Sequence, residues 1–360
     1  MMPLSRKKFK FGFTLIELLV VIAIIGVLST MAIIALGNAR TKARDTKRVA
    51  DIKQISTALE LYYADNNSYP TIITPGNSLV SPDGTKTYMG KIPSNPTPRN
   101  EGNCGTNDYA YSINSNNSFF SVSACLGSAN SNINAGLASY SPNGLFSCGQ
   151  SITDLDGYSY TTVQIGGQCW MGSNLRTKKY PNGNCINSNC PDASIADNTL
   201  GRSCYSNVEA NCTSDGALYT WPVAMNNSTV AGAQGICPIG WHLPSDADYK
   251  ILEMSLGMSQ AEADATLARG THSEGDKLKK LADCSGGTSC ASSGYNGPLS
   301  GIRAYWDGAT FYYRLGTAFI WTSTMVGGSA WYRSLDLGLN TVGRSYEPQG
   351  WSFAVRCLKD

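Results

Sequence analysis

Two hydrophobic patterns follow one another in the first 66 residues of the chain. From Phe13 to Leu36 almost every position is apolar, with Glu17 as the single carboxylate. That is about two dozen residues, enough for a helix to cross the roughly 30 Å hydrocarbon core of a bilayer. Farther on, Val49, Ile52, Ile55, Leu59 and Tyr62 recur at three- and four-residue spacing, while Arg44, Asp45, Lys47, Arg48, Asp51 and Lys53 alternate with them. This pattern predicts an amphipathic helix with one apolar stripe and a wet flank. The stripe is the expected seat of a globular head. Asp65-Asn66-Asn67-Ser68-Tyr69-Pro70 should stop the helix, since proline disfavours helical backbone in the residue before it and Asn favours turns. The alternative reading of Asp65 and its neighbours is a calcium site.

Charge changes the meaning of the first pattern. Arg6, Lys7, Lys8 and Lys10 precede the apolar run, so the positive-inside rule keeps residues 1–12 cytoplasmic and sends the rest outward. A carboxylate near the end of a membrane helix costs on the order of 2–3 kcal/mol to insert, which marks Glu17 as functional. An ordinary secretory signal would be cut after the apolar stretch, at small residues in A-x-A spacing. A plain membrane anchor is the simpler alternative.

The segment Lys10-Phe11-Gly12-Phe13-Thr14-Leu15-Ile16-Glu17, followed by LLVVIAIIGVLSTMAIIAL, resembles the class III signal peptide of type IV pilins and type II secretion pseudopilins. The stretch ARDTKRVADIKQISTALELYYADNNSYPT is similar to the same region of major pseudopilins and many small pilins. The resemblance implies that a prepilin peptidase cuts after Gly12 and that the new first residue, Phe13, is N-methylated. It also implies that Glu17 pairs with the Phe13 amine of a neighbouring subunit during assembly, so the other partners are further pilin subunits and, beforehand, the inner membrane. The family often carries a helix-disrupting proline near residue 34, where this chain has Ile34. Local melting would have to use Gly37.

Composition describes the exported part. Only 15% of residues are charged and the formal net charge is +2, so no nucleic-acid partner is expected. All 12 cysteines lie between Cys104 and Cys357. An even count in an exported, loop-rich chain reads as a disulfide framework. Metal binding by cysteine is disfavoured, because His242 and His272 are the only histidines and no paired CxxC knuckles occur. No cofactor is expected.

These signals predict an α+β protein: a leader at 1–12, a helix at 13–66 (membrane-spanning over 13–36, amphipathic over 37–66), a small β head at 67–138, a linker at 139–149 and a large domain at 150–360. In the head, Tyr109–Ile113 and Phe119–Cys125 should form a hairpin, bracketed by Cys104 and Cys125. The large domain carries SITDLDGYSYTTVQIGGQCWMGSNLRT, GALYTWPVAM, GICPIGWHLPSDADYKIL, LSGIRAYWDG, FIWTSTMVGGSAWYRSLDL and WSFAVRCLKD. In that order they resemble the Fibrobacter succinogenes major paralogous domain. The resemblance implies a C-type-lectin-like fold, with helices on a twisted antiparallel sheet, related in shape to formylglycine-generating enzymes.

Within it, Asp154-Leu155-Asp156-Gly157 reads as a hairpin turn, with the opening of a calcium loop as the alternative. Ser245 and Asp248 resemble a capping box opening a helix. Ala330–Leu337, Thr341–Tyr346 and Ser352–Cys357 read as strands. Trp321, Trp331 and Trp351 are read as sheet packing, with Trp331 and Trp351 as weak candidates for a sugar platform. Glu347-Pro348-Gln349 resembles the Glu-Pro-Asn signature of calcium-dependent lectins, which makes Glu347 and Gln349 weak ligand candidates beside the plainer reading of a proline turn.

No nucleophile with a base, HExxH motif, phosphate loop or carboxylate pair emerges, so no enzyme is expected. His242 reads as structural. Cys357 ends the last strand and Cys237 precedes the capped helix, so a bond between them should clasp the domain. Proximity in sequence pairs Cys104 with Cys125, Cys148 with Cys169, Cys185 with Cys190, Cys204 with Cys212, and Cys284 with Cys290. The functional expectation is a minor or tip pilus subunit displaying a lectin-like domain for adhesion to polysaccharide or another surface ligand. The alternative is a type II secretion pseudopilin-like subunit with a C-terminal cap.

Overall fold

The computed structural model describes residues 15–99, 101, 108–113, 117, 120–128, 133, 135–142, 144–186, 201–284, 289–305 and 310–360. Its first element is one unbroken helix of 52 residues, Leu15–Asn66. Ile34 and Gly37 both lie inside it without interruption. The helix stops where the Asn-rich turn was expected: Asn67 adopts a left-handed φ of 53° and its N–H donates to the Tyr63 carbonyl at 2.8 Å.

Residues of the apolar stripe are buried where the spacing places them. Ile52, Ile55, Leu59 and Tyr62 form one core with Tyr69, Leu79, Ile92, Phe120 and Val122. Val49 is half-buried and packs on a small satellite cluster of Leu126, Ile133 and Ala138. The expected wet flank is overturned in part. Asp45, Arg48 and Asp51 are buried, whereas Lys47 and Lys53 stay exposed. The cause is that loops as well as a sheet cover this face of the helix, and their backbone groups need charged partners.

The head's main sheet has four antiparallel strands in sequence order, Ala110–Ile113, Phe120–Leu126, Gly136–Ser141 and Gly144–Ser147. Phe119, expected at the start of the second strand, lies outside the described residues. The expected linker at 139–149 is a correction: most of it is sheet. Its serines are small because they pack: Ser139, Ser141 and Ser147 are buried, as is Ala138 just before it. Gly144 supplies a φ of +96° at the tight reversal between the two strands.

Beyond Cys148 the described residues form a two-stranded hairpin, Ile152–Thr153 with Ser159–Tyr160, two larger sheets and several short helices. The larger sheet has nine strands, and its spine runs Leu218–Thr220, Ser352–Ala354, Thr317–Val326, Ser329–Asp336, Val342–Pro348 and Leu267–Arg269. All neighbours on it are antiparallel except Thr317–Val326 and Ser352–Ala354. Alternate residues feed opposite faces. Trp321, Tyr219 and Phe353 enter one core, while Ile320, Leu218 and Ala354 enter a second with Trp170, Tyr249 and Tyr295. A smaller sheet runs Trp241–His242, Leu358–Lys359, Gln168–Met171 and Thr162–Ile165.

The helix Asp246–Ser255 opens with a full capping box, in which Ser245 Oγ accepts from Asp248 N–H and the Asp248 carboxylate accepts from Ser245 N–H. Two turns apart on that helix, Asp246 and Glu253 hold three buried arginines of the sheet. Arg333 donates to Glu253 at 2.6 Å and to Asp246 at 2.8 Å, Arg269 donates to Glu253 at 2.7 Å, and Arg344 grips both Asp246 oxygens at 2.9 and 2.8 Å. Removing one member of such a network strands a buried charge, at a cost of about 3–5 kcal/mol.

The structure joins Cys148 to Cys169, Cys204 to Cys212, and Cys237 to Cys357. Cys125 is disulfide-bonded, and its expected partner Cys104 lies outside the described residues. So does Cys190, the expected partner of Cys185. Cys284 and Cys290 are a correction, since both are thiols. Cys284 Sγ is turned onto the carbonyls of Asp276 and Lys280, at 3.6 and 3.7 Å, and burial together with the Cys290 thiol pushes its pKa up to about 11.

Cys237 and Cys357 are 120 residues apart and Cys204 and Cys212 only 8. In the chain-entropy account these loops contribute about 4–5 and about 2–3 kcal/mol respectively. Guanidinium unfolding followed by tryptophan fluorescence should therefore show Cys237→Ser to be clearly more destabilising than Cys204→Ser. Equal losses would mean that the long clasp does not organise the domain.

Candidate assembly interface

Every residue from Leu15 to Arg40 is exposed in the single chain. The surface is a continuous apolar cylinder with a mean hydropathy of 2.9 over its best 18-residue window, none of it buried. By length and composition it can cross a membrane. Glu17 lies in its first turn, where a carboxylate also faces the positive end of the helix dipole. Gly12 and Phe13, the expected processing residues, fall outside the described residues. Gly26 and Gly37 have nothing within 4 Å of where a side chain would begin, so their small size leaves shallow dents on the bare face.

A charged clamp begins where the bare half ends. The buried Arg48 guanidinium donates to Asp45 at 2.7 Å, Glu101 at 2.6 Å, Asn95 at 2.9 Å and the Pro96 carbonyl at 3.1 Å. Arg44 Nε also donates to both Glu101 oxygens at 3.0 Å. Asp45 accepts from the backbone N–H of Gly127 and Ser128 at 3.0 and 2.9 Å, and Asp51 accepts from the Tyr109 hydroxyl at 2.7 Å. The loop residues Asn95, Pro96 and Glu101, the residue just before the strand Ala110–Ile113 and the residues just after the strand Phe120–Leu126 are thereby fixed to the helix. This group escaped the sequence reading because Glu101 and Gly127 lie 53 and 82 residues from their partners.

The remaining candidates are separated by the fold. Asp65 forms an ion pair with Lys86, which supplies the cation that a calcium reading would require. Asp154 accepts from the N–H of Asp156 and Tyr158 at 2.9 Å and from the Tyr160 hydroxyl at 2.6 Å, as a hairpin turn requires. Trp331 is opposite Tyr346 and Ala330 is opposite Glu347. Alternation therefore directs Trp331 and Glu347 to opposite faces of the sheet.

Trp331 is covered by the Arg344 guanidinium at 3.9 Å, and Trp351 is buried beside Phe353 and Tyr305. The Gln349 carbonyl accepts from Trp221 N–H. Trp331 and Glu347 are thus on opposite faces of the sheet, whereas Glu347 lies against the Trp351 side chain. Trp321 is fully buried and donates to the Tyr219 carbonyl at 2.9 Å. His242 bridges Asp360 at 2.7 Å and Asp248 at 3.5 Å. Burial alone would lower its pKa, but the two carboxylates raise it to about 9. Cys204, Glu209 and Cys212 cluster like metal ligands, yet the two sulfurs are spent in their disulfide.

An N-terminal apolar helix carrying one carboxylate, ahead of a head clamped to its second half, defines a pilin-like architecture. Residues 7–33 match the prokaryotic N-terminal methylation motif, so the chain begins with a class III signal. The chain belongs to the Fibrobacter succinogenes major domain family, whose model matches residues 163–359, more than half of it. Curated relatives include type II secretion system core protein G of Escherichia coli K12, 45% identical over 69 residues (19% of this chain, 48% of that protein). The protein of the same name in Aeromonas hydrophila is 40% identical over 76 residues (21% and 53%), and that of Vibrio cholerae 39% over 89 residues (25% and 54%). The chain spans about half the length of these relatives. No solved structure matches it.

The clamp has an acid limit. Hydrogen bonds from Arg44 and Arg48, acting against burial, hold the Glu101 carboxyl at about 2, below its ordinary 4.5. A lowered carboxylate pKa stabilises the folded state above the unfolded value and loses that contribution as pH falls through the folded one. Asp45 is the other carboxylate on Arg48, and Asp108 faces Arg99 nearby. Proteolysis of the head should accelerate as pH falls from about 4.5 to about 2. Glu101→Gln should be less stable than the parent at pH 7 and show a flatter loss in that window. An unchanged acid profile in Glu101→Gln would remove Glu101 from the clamp.

Proposed function

We propose that this protein is a structural, non-enzymatic subunit of a type II secretion-type pseudopilus, with residues 150–360 forming a large cap on its head. The observation that carries the reading is the exposed apolar half of the long helix, Leu15 to Arg40, behind a class III signal. Such a surface is stable only in lipid or against other helices. On this reading the precursor sits in the inner membrane with its N-terminus in the cytoplasm. Prepilin peptidase cuts after Gly12, Phe13 is methylated, and Glu17 meets the Phe13 amine of the next subunit. The curated relatives named above favour the secretion system over a pilus.

A second reading is a pilus subunit whose lectin-like domain adheres to a surface polysaccharide. The exposed rings of Tyr305, Tyr312 and Tyr313 favour it, because unburied aromatic faces suit sugar stacking. The size of the cap limits how many copies a filament accommodates, so both readings make this a minor or tip subunit.

Immuno-electron microscopy with antibody to residues 150–360 separates the two. Label confined to the cell envelope is the expected result. Label along extracellular fibres would overturn the secretion reading in favour of the pilus.

A further inference from the structure

A cavity of about 360 Å³ lies where the head's last strand meets the large domain. Phe146 comes from the head strand Gly144–Ser147, Ile152 and Leu155 from the following hairpin, and Trp241 and Lys359 from neighbouring strands of the smaller sheet. Trp241 and Lys359 are register partners, so their side chains leave the sheet on the same face. Trp241 meets Phe146 edge to face at 5.7 Å, and Tyr180 and Pro181 close another wall. The lining is mainly apolar, in the size range of small-ligand sites.

One group does not fit an empty apolar hollow. Lys359 is 8% exposed, and among the described residues its Nζ finds no hydrogen-bond partner, lying 6.0 Å from the centroid of the Phe146 ring. The other charged lining residues are engaged. Asp154 accepts the three hydrogen bonds of its turn, and Lys179 lies 3.7 Å from Asp156. Asp360, next in the chain, is committed to His242. A buried ammonium without an acceptor is costly, and a ligand carboxylate would supply one.

We propose that this cleft binds a small organic carboxylate with an aromatic or aliphatic body, its anionic group on Lys359 Nζ and its body against Phe146, Ile152 and Trp241. The site is built jointly by the head and the large domain, so occupancy would also fix one against the other. The rank of the lysine fits the role. Burial lowers its pKa to about 8, against a raising contribution from Asp360, so it is mostly charged at neutral pH and loses its charge in mild base. Facing titratable groups are Asp154, Lys179 and Tyr180 across the cleft, with the His242–Asp360 pair behind the sheet.

The test is calorimetry on the full chain in lipid nanodiscs, with empty discs as the blank. The probes are 3-phenylpropanoate, as a free acid, and N-acetylphenylalanine, as the mimic of a chain end, each compared with its own amide. At least one acid should bind ten times or more tighter than its amide at pH 7, and the tighter acid identifies the source of the ligand. Its affinity should fall towards about tenfold per pH unit well above pH 8, as the charged fraction of Lys359 falls. Lys359→Met should erase the acid preference. If that variant does not fold, the pH profile of the unaltered chain decides. Equal affinity for acids and amides, no binding up to about 10 mM, or a pH-independent affinity would overturn the site. None of these outcomes bears on whether the long helix assembles into a filament.

Discussion

The exposed apolar cylinder from Leu15 to Arg40 is the constraint from which the rest of the architecture follows. It cannot remain in water, because burial of apolar surface contributes roughly 25 cal/mol per Å² and none of this surface is buried within the chain. Lipid satisfies it first, and neighbouring helices can do so next. In the proposed assembly Glu17 makes the second environment selective, since a carboxylate near the end of the cylinder gains most where a cation is fixed at one height. On the proposed reading the single chain is an unfinished structure whose missing contacts lie on other molecules.

Below that cylinder the helix must change from a lipid-facing rod into the spine of a head within a few residues. Arg48, Asp45 and Glu101 make this transition abrupt. Buried ion pairs contribute little net stability compared with an apolar core, but they tolerate only one geometry, so they set the rotation of the head about the helix. The head in turn carries the large domain without a tether. Its last strands run directly into the Cys148–Cys169 bond, and the Gln164 side chain accepts from Leu137 N–H at 2.9 Å. Inside the large domain the same device recurs, with Asp246 and Glu253 locking a helix onto arginines from three strands.

Local signals were legible in the sequence. The helix spacing of Ile52, Ile55, Leu59 and Tyr62, the capping box at Ser245 and Asp248, and the turn at Asp154 all act within a few residues and take the expected form. Burial of charge was not legible. Asp45, Arg48 and Asp51 have the periodicity of a solvated flank, and only partners 47 to 83 residues away make them interior. The strands at 136–147 were missed because Ser, Ala and Gly satisfy both a linker and a closely packed sheet. Lys359 was hidden for the opposite reason. A lysine near the end of a strand reads as exposed, and only the arrival of the head strand over it closes the cleft.

The measurement that bears most directly on this account is photo-crosslinking from within the cylinder, with benzoylphenylalanine in place of Ile24, which is 53% exposed in the single chain. In cells that assemble the filament, the predicted product is a covalent adduct with a second subunit of the same N-terminal class, and it should disappear when the partner subunits are deleted. A membrane-inserted protein that yields only lipid adducts, with or without its partners, would contradict the claim that this surface is completed by neighbouring helices.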